Sequence, residues 1–316
     1  MDISIVSPIY NESESIPELV ARIEQVMNEH GYIYELILVD DGSNDGSREI
    51  IERLAENNIN IHAICFRCNY GKSAALFCGF KKATGAVVIT MDSDLQDSPD
   101  EIPELYDMIV NGGFDLVSGW KKKRYDNKLT KNFPSKVFNA TVRMMTGIKL
   151  HDMNCGLKAY RKRVVKSIGV YGEMHRYIPV LASKAGFTRI GEKVVEHRAR
   201  KYGESKFGLS RFINGFLDLL TILFISRFGK KPMHLFGSLG SLMFIAGFIS
   251  AAWLGAQKIY HVNRDIRRDL VADSPYFYLA LTAMILGTLL FLAGFLGELI
   301  SRNSTDRNTY QIDKEL

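Results

Sequence analysis

The sequence predicts an α/β fold with a mostly parallel sheet, followed by two helices that span a membrane. Over the first 120 residues Val/Ile-rich runs alternate with amphipathic stretches, and the runs lie at 3–10, 35–41, 61–66 and 86–92. Nearly continuous apolar runs are typical of strands covered on both faces, and their alternation with helices indicates a parallel sheet. Further along the chain, residues 232–257 and 274–297 contain no Asp, Glu, Lys or Arg.

Two of the intervening helices have recognisable starts. Ser15 and Ser98 are each followed by a proline within two residues and by a glutamate at the third position. A capping serine, an early proline and a glutamate at this spacing predict a capping box. We therefore expect a helix to begin directly after each serine.

The two uncharged runs are long enough to cross a bilayer, since about 20 apolar residues in a helix span its hydrocarbon core. We expect spanning helices at 232–257 and 274–300, with buried core helices as the alternative. Small residues at a spacing of four permit close helix contacts, either within the hairpin or between subunits of a homo-oligomer. They are Gly247, Ala251 and Gly255 in the first run and Ala293 and Gly297 in the second.

The region before the first span predicts an interfacial helix at 207–230. Its polar residues Arg211, Asn214, Asp218 and Thr221 recur at spacings that place them on one helix face. Such a stretch lies in the membrane interface, and a third spanning helix is the alternative, at the cost of burying Asp218.

The ends of the chain complete the expected topology. The N-terminus has an acidic residue at position 2 and no basic segment, which does not fit a secretory signal. We expect 1–206 to form a cytoplasmic catalytic domain at the inner (plasma) membrane. With two spans, the tail at 301–316 returns to the cytoplasm.

Composition excludes some function classes. The chain has 40 Lys+Arg and 35 Asp+Glu, a formal net charge of +5, which is too small a surplus for a nucleic-acid binder. Cys65 and Cys68 form a CxxC with no second pair, which favours free thiols over a metal site.

Carboxylates gather at the ends of three predicted strands. Glu12 follows the first, Asp41 the second, and Asp92 and Asp94 the fourth. Ligands bind at the carboxyl ends of parallel strands, so these side chains are expected to share one site. Carboxylates supplemented by the amide oxygen of Gln96 suit Mg²⁺ or Mn²⁺, which take further ligands from substrate phosphates. The sequence has no phosphate-binding glycine loop of the Walker type. The carboxylate-held metal therefore indicates that the site binds a nucleotide diphosphate whose charge the metal neutralises.

Several strings carry a family resemblance: SPIYNE (7–12), VDDGS (39–43), DSDLQDSP (92–99), HDMNCGLKAY (151–160) and RKYGESK (200–206). In this order they resemble family 2 glycosyltransferases with a GT-A fold, which is Rossmann-like. The longer strings are similar to the polyprenyl-phosphate branch, which includes dolichyl-phosphate mannose synthase and bacterial undecaprenyl-phosphate glucosyltransferases. The resemblance covers the whole chain, since bacterial members also end in two membrane helices.

The resemblance implies a role for each matched residue on the donor side. The residues expected to bind the nucleotide are Pro8, Tyr10, Glu12, Asp41, Gly71, Lys72 and Asp92. The residues expected to bind the metal are Asp92, Asp94 and Gln96. Asp94 and Asp152 are the expected catalytic residues. Asp152 acts either as a base or as a group that orients the reactants and stabilises charge on the sugar.

On the acceptor side the resemblance implies phosphate contacts from Arg200, Ser205, Lys206, Lys131, Ser135 and Arg124. The basic run 121–124 comes directly after the region of alternating strands and helices, residues 1–120, and has two interpretations. It holds the lipid headgroup, or it is a solvated surface run that draws the domain to anionic lipid.

The expected activity is inverting transfer of one hexose to undecaprenyl or another polyprenyl phosphate at the cytoplasmic face. UDP-glucose is the first expected donor, GDP-mannose the second and a UDP-linked amino sugar the third. A processive polysaccharide synthase is a rival, but neither Trp120 nor Trp253 follows an arginine, as its QxxRW motif would require. A non-catalytic membrane scaffold is the other rival, although no expected metal ligand is missing.

Overall fold

The computed structural model describes residues 1–122, 143, 146–198, 201–202, 221, 224, 228, 231–264 and 270–303. The chain divides into two compact units, Met1–Leu220 and Thr221–Leu316. The first contains a sheet and its helices, and the second contains two long apolar helices. The domain limits expected near 206 and 230 fall outside the described residues and stay predictions.

The first unit is built on a seven-stranded sheet with the order β3-β2-β1-β4-β6-β5-β7. The strands are Ile3–Ile9 (β1), Tyr34–Asp40 (β2), Ile61–Cys65 (β3), Val87–Thr90 (β4), Leu116–Trp120 (β5), Lys158–Arg161 (β6) and Ile190–Val194 (β7). Strand β6 is antiparallel to both neighbours, and the other pairs are parallel. Strands β2 and β4 are buried at every position, as predicted for strands covered on both faces. The α/β class with a mostly parallel sheet is confirmed.

Helices follow most strands of this unit. They are Ile16–His30 (α1), Ser47–Asn57 (α2), Lys72–Lys82 (α3), Ile102–Val110 (α4), Lys162–Ser167 (α5) and Ile178–Lys184 (α6), with 3-10 turns at Pro99–Glu101 and Met174–Tyr177. The core forms where apolar positions of α1 and α4 meet the strands, as at Leu19, Leu105 and Ile5.

The expected capping boxes are wrong, although α1 begins where predicted. The Ser15 hydroxyl donates to the Glu12 carbonyl at 3.0 Å instead of accepting from the first turn of α1. The Ser98 hydroxyl donates to the Asp100 carboxylate at 2.6 Å, and a 3-10 turn precedes α4. Each serine therefore stabilises a local turn rather than a helix end.

The antiparallel strand β6 has a consequence for the site. It begins opposite the end of β4, with Lys158 paired to Thr90. Because β6 runs against β4, its first residue lies at the carboxyl edge of the parallel strands. The segment that precedes β6, residues 151–157, therefore lies at the edge of the sheet where β1, β2 and β4 end.

The second unit contains helices Met233–Val262 (α7) and Pro275–Asn303 (α8). Met233–Val262 and Pro275–Ser301 are long and apolar enough to cross a membrane. The two helices touch through glycines: a Cβ on Gly240 would lie 2.6 Å from the Gly287 carbonyl oxygen, and a Cβ on Gly287 equally close to that of Gly240.

Small residues spaced four apart were expected to form the contact between α7 and α8, and only some of them do. A Cβ on Gly247 would lie 2.6 Å from the Ala280 carbonyl oxygen, but one on Gly255 would meet nothing within 4 Å. Closely packed positions instead recur every seven residues, at 240 and 247 in α7 and at 280, 287 and 294 in α8. A seven-residue repeat keeps one seam of each helix against its neighbour. The interfacial helix expected at 207–230 lies outside the described residues except at 221, 224 and 228.

Candidate active site

The turn that follows β2 is pressed against the loop before α3. Gly42 has a φ of 73°, and a Cβ there would lie 2.5 Å from the carbonyl carbon of Cys68. The Asp41 carboxylate accepts hydrogen bonds from the backbone N–H of Tyr70 at 2.7 Å and of Gly71 at 3.0 and 3.1 Å. Burial raises the pKa of Asp41, and the two amide donors partly offset that rise. Asp41 and Gly71, both expected to bind the nucleotide, thus form one rigid corner.

The two adjacent aspartates at this strand end have different roles. Asp40 is fully buried, and Arg48 donates to its carboxylate through Nε at 3.2 Å and Nη2 at 3.1 Å. Ser43 also donates to it through its backbone N–H at 3.0 Å. Asp40 is therefore committed to holding the start of α2, which leaves Asp41 at the site.

The loop that follows β1 is clamped to the same corner. Asn11 has a φ of 54°, and its backbone N–H donates to the Ser43 hydroxyl at 2.9 Å. Its side-chain oxygen accepts the N–H of Asn44 at 2.9 Å. The Glu12 N–H donates to the Ser47 hydroxyl at 3.0 Å, while Tyr10 is 38% exposed. Two distant motifs, residues 7–12 and 39–43, are therefore parts of one structure.

The first aspartate of the fourth strand end, Asp92, sits in a closely fitted position. Lys72, the first residue of α3, donates from its ammonium to Oδ1 of Asp92. Burial alone would raise the pKa of Asp92, but Lys72 holds it low, at about 2. On the other side a Cβ on Gly156 would lie 2.3 Å from Oδ2 of Asp92. A side chain at position 156 would therefore displace the Asp92 carboxylate, a constraint that sequence analysis missed although Gly156 lies inside the motif at 151–160.

The next turn carries the remaining expected metal ligands, Asp94 and Gln96. Leu95 between them adopts a φ of 59°, and the Gln96 N–H donates to Oδ1 of Asp94 at 3.2 Å. Among the described residues no cluster of three or more His, Cys, Asp or Glu side chains could hold a metal. Two carboxylates and an amide suit a hard cation that completes its shell with phosphate oxygens and water. The donor set therefore fits Mg²⁺ or Mn²⁺ carried with a diphosphate.

Lys121, the first residue of the basic run, is not a solvated surface side chain. Its ammonium lies 2.7 Å from Oδ1 of Asp97, and both side chains are largely buried. Burial raises the pKa of Asp97; burial alone would lower the pKa of Lys121, but the Asp97 carboxylate raises it. The pair secures the end of β5 to the loop that carries Asp92 and Asp94.

Asp152 is buried and held by Glu192 of β7, a residue that sequence analysis missed. The backbone N–H groups of His151 and Asp152 donate to Oε1 of Glu192 at 2.8 and 3.1 Å. The Asp152 carboxylate accepts the Asn154 N–H at 3.1 Å, and its carbonyl accepts the Ser118 hydroxyl at 3.3 Å. These contacts fix the position of Asp152 before any substrate arrives.

Two buried groups near Asp92 were not expected. His175 Nδ1 lies 3.0 Å from the Ser73 hydroxyl, and burial together with nearby Lys72 lowers the pKa of His175 well below its usual value. Lys158 donates to the Cys155 carbonyl, and burial lowers its pKa. No local sequence pattern marks His175, which is 102 residues from its partner.

The expected acceptor-phosphate residues, Arg124, Lys131, Ser135, Arg200, Ser205 and Lys206, all lie outside the described residues. Their assignment stays a prediction.

Asp92 and Asp94 follow β4 at the point where the strand order reverses, between β1 and β4, which is where open α/β sheets bind ligands and which fits the expected GT-A fold. Residues 4–169 match the family described as glycosyl transferase family 2. The chain belongs to this family and is a glycosyltransferase.

Relatives extend the likeness to nearly the whole chain. It is 34% identical over 304 residues to a dodecaprenyl-phosphate galacturonate synthase of Rhizobium johnstonii, covering 96% of this chain and 88% of that protein. It is 35% identical over 319 residues to an undecaprenyl-phosphate 4-deoxy-4-formamido-L-arabinose transferase of Pseudomonas fluorescens, covering 99% and 89%.

Solved structures support the fold. Glucosyl-3-phosphoglycerate synthase from Mycobacterium tuberculosis, in complex with Mn²⁺, UDP and glucosyl-3-phosphoglycerate, matches with a TM-score of 0.55 and 19% identity. The match covers 71% of this chain and 79% of that one. At this identity the likeness concerns the fold alone.

Proposed function

We propose that this glycosyltransferase moves one sugar from a nucleotide sugar to a polyprenyl phosphate at a membrane. The observation that carries the proposal is the likeness over 96% and 99% of the chain to two polyprenyl-phosphate sugar transferases. That likeness includes the two apolar helices, which would hold the enzyme at its lipid acceptor. Proximity of this kind raises the rate by orienting the acceptor.

On the donor side we propose that Asp92, Asp94 and Gln96 hold Mg²⁺ or Mn²⁺. When bound, the metal would neutralise charge on the departing nucleoside diphosphate. The corner formed by Asp41 and Gly71 would hold the nucleoside, together with Pro8, Tyr10 and Glu12 from the adjoining loop. Because hydrogen bonds join the two loops, the nucleoside would meet a preformed surface.

The acceptor supplies its own nucleophile. A phosphate monoester has a second pKa near 6 and is largely dianionic at pH 7. A phosphate oxygen would attack the anomeric carbon as the bond to the diphosphate oxygen breaks, which inverts the anomeric centre. No strong base is required, so we assign Asp152 to orienting the reactants and stabilising positive charge on the sugar. Arg200, Ser205 and Lys206, with Arg124, Lys131 and Ser135, would hold the phosphate.

For the sugar, the relatives favour a choice other than the expected glucose. Their names specify galacturonate and 4-deoxy-4-formamido-L-arabinose. In the pyranose form, L-arabinose has the ring configuration of D-galactose from C2 to C4, so both sugars carry an axial substituent at C4. We therefore propose a donor of galacto configuration, with UDP-glucose and then GDP-mannose as the alternatives.

The test is a transfer assay with the purified full-length protein in detergent, Mg²⁺ and undecaprenyl phosphate. UDP-galacturonate, UDP-4-deoxy-4-formamido-L-arabinose, UDP-glucose and GDP-mannose are supplied separately, and sugar entering the lipid phase is followed. We expect one sugar per lipid from a galacto-configured donor. Transfer from UDP-glucose alone would overturn the choice of sugar, and products with several sugars would indicate a processive synthase.

We also propose that the helices span the inner membrane with the catalytic unit in the cytoplasm. The short loop between α7 and α8 would then face outward. In a variant whose four native cysteines are replaced by serine, Asn263→Cys and, in the catalytic unit, Glu56→Cys test this orientation in intact cells. A membrane-impermeant thiol reagent should label only the first, and labelling of the second alone would reverse the topology.

A further inference from the structure

Lys72 contacts one of the proposed metal ligands directly. Its ammonium donates to Oδ1 of Asp92, and the two side chains are 29% and 30% exposed. The backbone before Lys72 is fixed, because the Gly71 N–H donates to both Asp41 oxygens. Lys72 therefore joins the nucleotide corner to the metal loop.

The contact places two cations in competition for one carboxylate. On its other side the Asp92 carboxylate is close to Gly156, where a Cβ would lie 2.3 Å from Oδ2. A divalent ion bound to Asp92 would lie within a few ångströms of the Lys72 ammonium and would be repelled by it. A diphosphate removes the conflict, because its anionic oxygens can accept from the ammonium and ligate the metal together.

We propose that Lys72 makes metal binding conditional on the nucleotide diphosphate, by opposing the metal when it arrives alone and by binding the diphosphate when both are present. This inference rests on the proposed metal site. It describes a coupling between two ligands: the nucleotide raises metal affinity and the metal raises nucleotide affinity by the same factor. The enzyme would then select the metal–nucleotide complex over the free metal ion.

A structural role for the same pair makes the opposite prediction. If Lys72 only held Asp92 in place, its removal would loosen the carboxylate and weaken metal binding. The sign of the change in Mn²⁺ affinity therefore separates the two roles.

The experiment is a Mn²⁺ titration of the full-length protein in detergent, followed by the electron paramagnetic resonance signal of free Mn²⁺, with and without UDP or GDP. Lys72→Met removes the charge at similar size, and Lys72→Gln is a second uncharged variant. Lys72→Arg keeps the charge. Lys82→Met is the matched control, since Lys82 is an exposed lysine at the other end of α3.

We expect Lys72→Met and Lys72→Gln to bind Mn²⁺ alone at least about tenfold more tightly than the wild type. Their gain in Mn²⁺ affinity on adding nucleotide should shrink by a similar factor, while Lys72→Arg and Lys82→Met behave like the wild type. Unchanged or weaker Mn²⁺ binding by folded Lys72→Met and Lys72→Gln would overturn the inference alone. Absence of Mn²⁺ binding by the wild type with either nucleotide would overturn the metal site as well.

Discussion

Replacing Gly156 by alanine tests whether the position of Asp92 controls activity. The added Cβ would lie 2.3 Å from Oδ2, 2.5 Å from Cγ and 2.8 Å from Oδ1 of Asp92. An ordinary contact is about 3.4 Å, so the carboxylate must move by roughly 1 Å. The backbone at Gly156 cannot easily retreat, because its carbonyl accepts the Thr90 hydroxyl at 2.8 Å.

A displacement of that size at a reacting centre costs about 10²-fold in rate. This corresponds to about 2.7 kcal/mol in the activation barrier, at about 1.36 kcal/mol per factor of ten. Overpacking is expected to lower the free energy of unfolding by about 1–3 kcal/mol in addition. Transfer rate, Mn²⁺ affinity with nucleotide and thermal unfolding should be measured together, so that loss of activity is separated from loss of fold.

Gly169→Ala is the matched control, because a Cβ there meets nothing within 4 Å and Gly169 has no positive φ. It should keep the wild-type rate and stability. Wild-type transfer and Mn²⁺ affinity in Gly156→Ala would refute the argument that this glycine sets the position of Asp92.

Three further predictions concern other parts of the chain. Asp94→Ala should abolish transfer while the protein keeps its circular dichroism spectrum and membrane binding, and a rate near that of the wild type would contradict its assignment to the metal. Glu35 is buried, which alone would raise its pKa, but hydrogen bonds from Ser4 and Thr84 hold the pKa below the ordinary value of a glutamate. Its stabilisation is therefore present above the unfolded pKa of a glutamate, about 4.3, and lost as pH falls through the lower folded pKa. Glu35→Gln should reduce the loss of unfolding free energy at acid pH, and an unchanged pH dependence would argue against this assignment. Gly287→Ala should destabilise the helix pair by about 1–3 kcal/mol in detergent unfolding assays, while Gly255→Ala should not, and equal effects would contradict the packing described.

The sequence was sufficient to predict the strands that form the centre of the sheet. Runs such as 35–41 are apolar throughout, and β2 at Tyr34–Asp40 is buried at every position. Strand β6 has only four residues, Lys158–Arg161, of which two are basic. The sequence of β6 does not show the apolar run that predicts a strand. This segment becomes a strand because it pairs with β4 and β5, and not because of its own composition.

The sequence predicted which residue types form the candidate site, but it did not predict which side chains contact one another there. Motifs marked the loops of Asp41, Asp92 and Asp152, whose functional roles stay proposals. They did not show that Asp40 is committed to Arg48 or that Lys121 is paired with Asp97. Such pairings join residues that are distant in sequence, and only the folded chain decides which of two adjacent charges faces inward.

The antiparallel strand β6 explains how residues 151–157 come to lie at the site. In a purely parallel sheet, the residues before a strand lie at the edge opposite the ligands. Because β6 is reversed, the residues before it lie at the ligand edge, and Gly156 meets Asp92 while Asp152 is placed nearby in the chain. Glu192 on the parallel strand β7 then holds the backbone of Asp152 from the far side of β5. The reversal of a four-residue strand thus places Gly156 against Asp92, with Asp152 four residues earlier in the same segment, and a change that shifted the β4–β6 register would displace this segment from the proposed metal loop.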